Sequence, residues 1–203
     1  MTLTGWYASW KPVPIDESRV KASRVEDVPG NLARMKAEAA RGTGSVDLIL
    51  AADTVVIDDG DILGKPATEA EALQMLRRLR GRTHRVVTAV ALFSSAAHEM
   101  NIENCETSVT MRAYGERELL DYVRGGSPMD KAGAYGIQDE RFSPVDAAKM
   151  SGCYANVMGL PLCHLARAMR RLGYEAPNNV PASCQNATGY TCPVYRSILR
   201  GDV

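Results

Sequence analysis

The stretch Asp47–Ile57, with the sequence DLILAADTVVI, decides the fold class of this chain. It is a short apolar run rich in Ile, Leu and Val, and Asp53 is the acidic residue in its middle. This pattern is typical of a central strand that is buried on both faces of a sheet. The turn residues Asp58–Asp61 follow, and Ile62–Gly64 predicts a short strand that returns beside the first.

Helices are predicted on both sides of this strand in the sequence. Asn31–Arg41 carries apolar residues at helical spacing and is followed by Gly42, and Thr68–Arg80 opens with the T-x-x-E pattern of a capping box. Four further elements are predicted, as strands at Arg85–Phe93 and Glu106–Arg112 and as helices at Glu116–Arg124 and Gly159–Leu172. Alternating strands and helices indicate an α/β domain with a mixed sheet and flanking helices, in which ligands bind in a cleft at the strand ends.

Length, composition and charge limit the functions that the chain can have. Its 203 residues suit one domain, and 24 basic residues balance 24 acidic ones. A net charge of zero argues against a nucleic-acid coat protein or a polybasic membrane binder. Because we find no apolar run of membrane-spanning length and no signal-peptide pattern, we expect a cytoplasmic protein. We place a domain at residues 1–177 and a polar, asparagine-rich tail at residues 178–203.

The five cysteines favour a reduced protein without a disulfide framework. Cys105, Cys153 and Cys163 lie in apolar surroundings, which is typical of buried thiols. Cys184 and Cys192 lie in the tail at a spacing that is only a weak zinc signal, because no second pair and no nearby histidine accompany them. We expect two free thiols there rather than a zinc site.

Asp53 is the sharpest candidate for chemistry. A carboxylate inside a buried strand is unfavourable unless it is paired, binds a metal or faces a cleft, although a structural aspartate that caps a neighbouring turn fits the sequence equally well. Lys65, in Gly64-Lys65-Pro66, lies on a loop that proline stiffens. An ammonium fixed beside a carboxylate is what a phosphoryl site requires, and a solvated lysine in a surface hairpin is the alternative.

Other candidates depend on their surroundings. Asp130–Gln138 is rich in small residues that allow close approach of a ligand, and Gln138 carries donors and an acceptor that suit the edge of a base. A glycine-rich turn before a core strand is the alternative. Glu17 and Lys36 would lie on the surface by composition alone, and His84 could act as a base but is more typical of a structural residue. We find no P-loop, dinucleotide-binding or G-x-S-x-G motif.

Together, short segments between Trp10 and Gly173 resemble the Maf family of nucleoside triphosphate pyrophosphatases. The segments that carry the resemblance are Ile15–Ser18, Leu32–Ala37, Leu50–Val56, Leu63–Pro66, Gly81–Thr88, Asp130–Gln138 and Asn156–Pro161. The resemblance implies a mixed sheet with flanking helices and two lobes around a cleft. It also implies hydrolysis of a nucleoside triphosphate, of the dTTP or UTP type, to the monophosphate and pyrophosphate with Mg²⁺ or Mn²⁺.

The resemblance assigns roles to individual residues. Asp53 matches the central catalytic carboxylate, and Glu17 matches an acidic residue that helps with the metal or the water, so both are candidate metal ligands. Lys36 and Lys65 match lysines that hold the triphosphate, and we count Lys65 with the catalytic group.

Substrate choice and assembly also follow from the resemblance. Thr54 and Gln138 match positions typical of the subgroup that prefers dTTP and UTP, and with Lys36 they form the expected substrate-binding set. Family members are often dimers, so the expected assembly is a homodimer, with no nucleic-acid or membrane partner.

The chain departs from the family pattern at its start. Family members begin with a strand and a loop of the type S-x-S-P-R-R, whose serine and arginines hold the phosphates, and nothing before Trp10 matches that loop. Three alternatives remain: a start further upstream, replacement of the loop by the tail or by a second subunit, or a weakened relative. The second functional hypothesis is therefore a nucleotide-binding regulatory protein linked to arrest of cell division.

Overall fold

The central sheet is described from a computed structural model that covers residues 3–9, 11–41 and 46–202. In these ranges its strands are β1 (Leu48–Asp58), β2 (Asp61–Leu63), β3 (Thr83–Ser94) and β4 (Glu99–Thr110). Their order across the sheet is β2-β1-β3-β4, and each described pairing is antiparallel. The α/β class is confirmed. The described pairings are all antiparallel and not mixed. Short turns at residues 59–60 and 95–98 make hairpins of β1–β2 and β3–β4, whereas β3 pairs with β1 after the chain has passed through β2 and α2.

Strand β4 is longer than the sequence predicted, whereas β1 agrees with its predicted strand almost to the residue. The alternating pattern predicted a strand only from Glu106, but β4 begins at Glu99 because it pairs with β3 along its full length. Such cross-strand pairing depends on the neighbouring strand, and the local sequence signals it poorly.

The described helices are α1 (Val28–Arg41), α2 (Glu69–Leu79), α3 (Glu116–Arg124), α4 (Tyr154–Val157), α5 (Leu162–Arg171), α6 (Val180–Thr188) and α7 (Tyr195–Arg200). The predicted helices are confirmed, with α1 starting earlier and α5 later than predicted. Thr68 Oγ1 caps α2 by accepting from the N–H of Glu71 (3.2 Å), but the Glu71 carboxylate accepts from the N–H of Ala67 (2.8 Å) rather than from the cap itself. Gly42, expected to end α1, lies outside the described residues. Within the ranges given above, none of the helices has the length and apolar character needed to cross a bilayer.

Helix α1 lies against β1 and β3 through small side chains. Ala33 and Ala37 of α1 and Ala89 and Ala91 of β3 are fully buried in this contact. Because alanine adds little bulk, the helix backbone approaches the sheet closely. Lys36, next to Ala37, therefore reaches the middle of β1.

The larger part of the core lies on the helices that follow β2. Leu76 and Leu79 of α2 and Leu119 of α3 are fully buried and pack in one cluster with Val86 of β3 and Val109 of β4. This layer of helix on sheet supports β1 and β3 and holds the ends of both strands in place.

The tail contains α6 and α7, which pack against α5. Val180 and Ile198 are buried in this contact. Arg167 of α5 donates to the carbonyl of Ile198 (2.8 Å) and pairs with the buried carboxylate of Glu103 in β4 (2.5 Å). The tail therefore rests on α5, and the boundary at residue 177 stays a prediction.

Candidate active site

Asp53, Lys36 and Glu17 meet beside β1. Lys36 Nζ lies 2.5 Å from Asp53 Oδ1 and 3.1 Å from Glu17 Oε1, so one ammonium bridges two carboxylates. Helix α1 supplies the lysine, β1 supplies the aspartate, and the single helical turn Glu17–Arg19 supplies the glutamate. The side chain of Asp53 is only 12% exposed, against 60% for Glu17, so the aspartate is the member of the group that the fold shields from water.

Burial controls the protonation of Asp53. It raises the pKa of the Asp53 carboxyl above its ordinary value, and the ammonium groups of Lys36 and Lys65 only partly oppose this effect. Burial also opposes the charge on Lys36, but the hydrogen bonds with Asp53 and Glu17 outweigh it and raise the pKa of Lys36. The carboxylate is therefore more basic than an exposed aspartate, while its lysine partner stays charged.

A cleft of about 300 Å³ opens beside this group, which is a size typical of small-molecule sites. Its lining includes four of the predicted site residues, Asp53, Thr54, Lys65 and Gln138. Lys36 and Glu17 are not part of the lining; Lys36 reaches the site through its contact with Asp53, and Glu17 through Lys36. The structure thus brings all six predicted residues together. Four of them line the cleft, and Lys36 and Glu17 are connected to it through Asp53.

Gly133 joins the two loops that carry Lys65 and Gln138. Its backbone is in the left-handed region (φ +70°), and its N–H donates to the carbonyl of Gly64 (3.0 Å). A Cβ at Gly133 would lie 3.1 Å from Cγ1 of Val56, so a larger residue would press against β1. Glycine meets both requirements, the positive φ and the close approach.

A chain of hydrogen bonds fixes Thr54 at the edge of the cleft. Its Oγ1 lies 2.8 Å from Oγ1 of Thr88, and the Thr88 hydroxyl donates to the carbonyl of Asn156 (2.9 Å). Because the Thr88 proton is used there, the Thr54 hydroxyl is the donor to Thr88. Asn156 is fully buried, and its Nδ2 donates to the carbonyl of Val86 and to Oγ1 of Thr107, both at 3.0 Å.

Two other parts of the lining, Lys131 and Val157–Gly159, were not among the predicted site residues, although both lie in segments that carry the family resemblance. Lys131 Nζ donates to Asp130 Oδ1 (2.8 Å) and to the carbonyl of Ser127 (2.5 Å). Its place within a loop of small residues was a signal that could have indicated it. For Val157–Gly159 the signal was the resemblance of Asn156–Pro161 to the family, because a helix of one turn such as α4 shows no apolar period.

Two other regions lie outside the cleft. His84 is buried with Nε2 2.6 Å from the hydroxyl of Tyr135, and burial lowers the pKa of His84 to about 4, so the ring is neutral and structural. Residues 3–9 contribute nothing to the lining. Trp6 instead donates through Nε1 to the carbonyl of Glu175 (3.1 Å), beside the start of the tail.

Comparisons with known proteins show the family. The model described as Maf-like protein matches residues 2–172. A relative from Dehalococcoides mccartyi named dTTP/UTP pyrophosphatase is 45% identical over 143 residues, which cover 70% of this chain and 63% of the relative. The chain thus spans less than two thirds of that relative's length. Relatives with the same name are 42% identical over 179 residues in Chlorobium phaeovibrioides (85% of this chain, 90% of the relative) and 38% identical over 188 residues in Thermomicrobium roseum (90% and 82%). With most of its length matched, the chain belongs to the Maf family.

Proposed function

We propose that this chain is a nucleoside triphosphate pyrophosphatase that hydrolyses dTTP or UTP to the monophosphate and pyrophosphate. The observation that carries the proposal is the shielded carboxylate of Asp53, held by Lys36 at the wall of a cleft that Lys65 also lines. The names of the relatives support the substrate class.

In this proposal, Asp53 activates water. Its carboxylate accepts a proton as the water attacks the α-phosphorus, and a pKa raised by burial makes it a better base than an exposed aspartate. Lys36 holds Oδ1 of Asp53 and so fixes the orientation of the carboxylate. Lys36 is therefore a positioning residue for the base, and in this arrangement Glu17 steadies Lys36.

In this proposal, Lys65 holds the phosphates. The triphosphate and the departing pyrophosphate carry several negative charges, and a fixed ammonium in the cleft lowers the energy of the charge that develops as the bond breaks. Lys131 lines the same cleft but is already paired with Asp130. The Lys65 loop is therefore the first cationic contact for the phosphates.

The carboxylates of Asp53 and Glu17 fit a hard divalent cation such as Mg²⁺ or Mn²⁺. Both already share one cation, the Lys36 ammonium, and carboxylate oxygens are ligands that these ions prefer. In the part of the chain that the structure describes, no group of three or more His, Cys, Asp or Glu side chains is arranged for a metal, so substrate phosphate would have to complete the ligand set. A bound cation supplies further neutralisation of the phosphate charge.

Thr54 and Gln138 are the proposed contacts for the remainder of the nucleotide. The amide of Gln138 offers both donors and an acceptor, which can pair with the donor and acceptor atoms on the edge of uracil or thymine. Because uracil and thymine share that edge, this contact does not separate UTP from dTTP. The cytoplasmic location and the homodimer stay predictions.

A pyrophosphate-release assay with UTP, dTTP, CTP, ATP and GTP tests the proposal. We expect turnover of UTP and dTTP in Mg²⁺ or Mn²⁺, one pyrophosphate for each monophosphate, and loss of turnover with a chelator. No turnover of any nucleotide, or release of orthophosphate instead of pyrophosphate, would contradict the proposal. Binding of UTP without hydrolysis would favour the regulatory alternative.

A further inference from the structure

Four of the five cysteines line a second cavity, at the other end of the segment that borders the cleft. Val157–Gly159 line the cleft, whereas Cys153 and Ala155 line this small cavity of about 10 Å³. Its walls come from α4, α5, α6 and the loop before α7. Its thiols belong to Cys153, Cys163, Cys184 and Cys192, which are all free in the structure. We call it the cysteine cavity.

Cys153 is the fixed member of the cysteine cavity. Its N–H donates to Oγ1 of Thr107 (3.0 Å), and its carbonyl accepts from the same hydroxyl (3.1 Å). Cys105 lies two positions before Thr107 on β4, and its thiol and that of Cys153 shift each other's pKa. The two hydrogen bonds with Thr107 therefore fix the backbone of Cys153 relative to β4.

Cys184, on α6, connects the cavity to the tail, as does Cys192 on the loop before α7. Helix α6 packs against α4 and α5, and Cys184 joins the apolar cluster that contains Cys153 and Cys163. Cys184 is half-buried, whereas Cys153 and Cys163 are each 5% exposed. A small reagent therefore reaches Cys184 before it reaches the other two thiols.

The thiols differ in their tendency to ionise. The neighbouring Cys105 thiol and the backbone N–H groups of Asn156 and Ala155 lower the pKa of Cys153 below its ordinary value. Burial raises the pKa of Cys184 to about 11. A thiolate beside a neutral thiol is the arrangement in which a mixed disulfide is resolved quickly, because the thiolate is the attacking species.

We propose that Cys153 and Cys184 form a thiol–disulfide exchange site that joins the tail to the domain on reaction with a low-molecular-weight disulfide. The Cys184 thiol gives its proton to water, and the resulting thiolate attacks one sulfur of the reagent. The S–S bond of the reagent breaks, and one small thiolate leaves and takes up a proton. The thiolate of Cys153 then attacks the sulfur of Cys184, and the second small thiolate leaves and takes a proton from water. Two protein thiols are oxidised, and the reagent is reduced to two thiols.

Oxidised glutathione is a suitable probe, with reduced glutathione as the matched condition. After exposure, the full chain is denatured, alkylated and weighed by mass spectrometry, and its unreduced peptides are mapped. We expect the count of alkylated thiols to fall from five to three, with one peptide pair linking Cys153 to Cys184 and no retained glutathione. Five alkylated thiols, a stable glutathione adduct, or disulfides only between chains would overturn the proposal.

Two variants identify the pair. Cys184→Ser should abolish the intramolecular disulfide, whereas Cys163→Ser, which changes another thiol of the same cavity, should form it as the wild type does. Circular dichroism under reducing conditions checks that both variants fold. A disulfide of Cys153 that still forms at the wild-type yield in folded Cys184→Ser would overturn the assignment. The readout is the thiol count, so it does not depend on nucleotide hydrolysis.

Discussion

The cleft and the cysteine cavity lie at opposite ends of the segment Cys153–Gly159. They differ in whether their buried ionisable groups have a partner of opposite charge. In the cleft, the ammonium of Lys36 sits against the carboxylate of Asp53, so both groups keep their charge although they are shielded. In the cysteine cavity, burial raises the pKa of Cys163 and Cys184, and only Cys153 is stabilised as an anion. The first region suits the charged ligand that we propose, and the second suits the exchange between sulfur atoms that we propose.

The difference shows that one segment, held in place by hydrogen bonds, can line both a polar cleft and an apolar cavity. Asn156 fixes the segment to β3 and β4 through its buried amide, and Thr88 ties the same residue to Thr54 in the cleft. Substitutions in the cleft should therefore affect hydrolysis and leave the thiols unchanged, whereas substitution of Asn156 should affect both regions.

The largest effect is expected for Asp53→Asn. The amide keeps the shape of the side chain but cannot accept the proton, so kcat for pyrophosphate release should fall by about 10²–10⁴-fold. Asp47→Asn, an exposed position at the start of the same strand segment, is the matched control and should retain wild-type activity. The thiol count after oxidation should be the same in both variants. Wild-type turnover by Asp53→Asn would show that another residue is the base.

Lys65→Ala removes the ammonium from the cleft and should lower kcat/KM by about 10²-fold, because charge on the phosphates is then less well neutralised. Lys149→Ala removes the same charge from an exposed position outside the cleft and serves as the control. The measurement is steady-state kinetics with UTP for both variants. Equal losses in the two variants would mean that net charge, rather than a contact in the cleft, explains the effect.

Asn156→Ala should destabilise the fold by about 2–3 kcal/mol, because it removes two buried hydrogen bonds that hold α4 to β3 and β4. Urea unfolding measures this free energy. Asn186→Ala, exposed on α6, should change it by less than about 0.5 kcal/mol. A stability equal to that of the wild type would show that α4 does not depend on this anchor.

The smallest effect is expected in the pH dependence of kcat/KM. Activity requires the Asp53 carboxylate, so it should fall as the pH drops through a pKa that burial has raised. Lys36→Met removes a charge that lowers the pKa of Asp53, so this acid limb should move to higher pH. Glu17→Gln removes a charge that raises the pKa and should move the limb to lower pH. Shifts in the same direction would contradict the assignment of the limb to Asp53.

The sequence predicted the strand that carries Asp53 and the loops that carry Lys65 and Gln138, because apolar runs and glycine-rich turns are local signals. The contact between Lys36 and Asp53 depends on how closely α1 lies on the sheet. No local sequence pattern predicts the distance between a helix and a sheet. Only the resemblance to the Maf family indicated it.

The cysteine cavity was not predictable from the sequence. Cys153, Cys163, Cys184 and Cys192 follow no metal-binding spacing, and their proximity arises from the packing of α6 on α4 and α5. The tail is polar in composition, yet its residues Val180 and Ile198 are buried. Two apolar residues in suitable positions are enough to pack these short helices against α5. Tertiary packing of this kind leaves little trace in composition.

The most direct test of the role of Asp53 is hydrolysis of UTP in ¹⁸O-labelled water by the wild-type chain and by Asp53→Asn, with the products weighed by mass spectrometry. If the carboxylate directs water onto the α-phosphorus, the wild type should place one ¹⁸O atom in each monophosphate and none in pyrophosphate. Asp53→Asn should yield almost no labelled product in the same time. Label in the pyrophosphate, or equal labelling of the monophosphate by both proteins, would contradict this role.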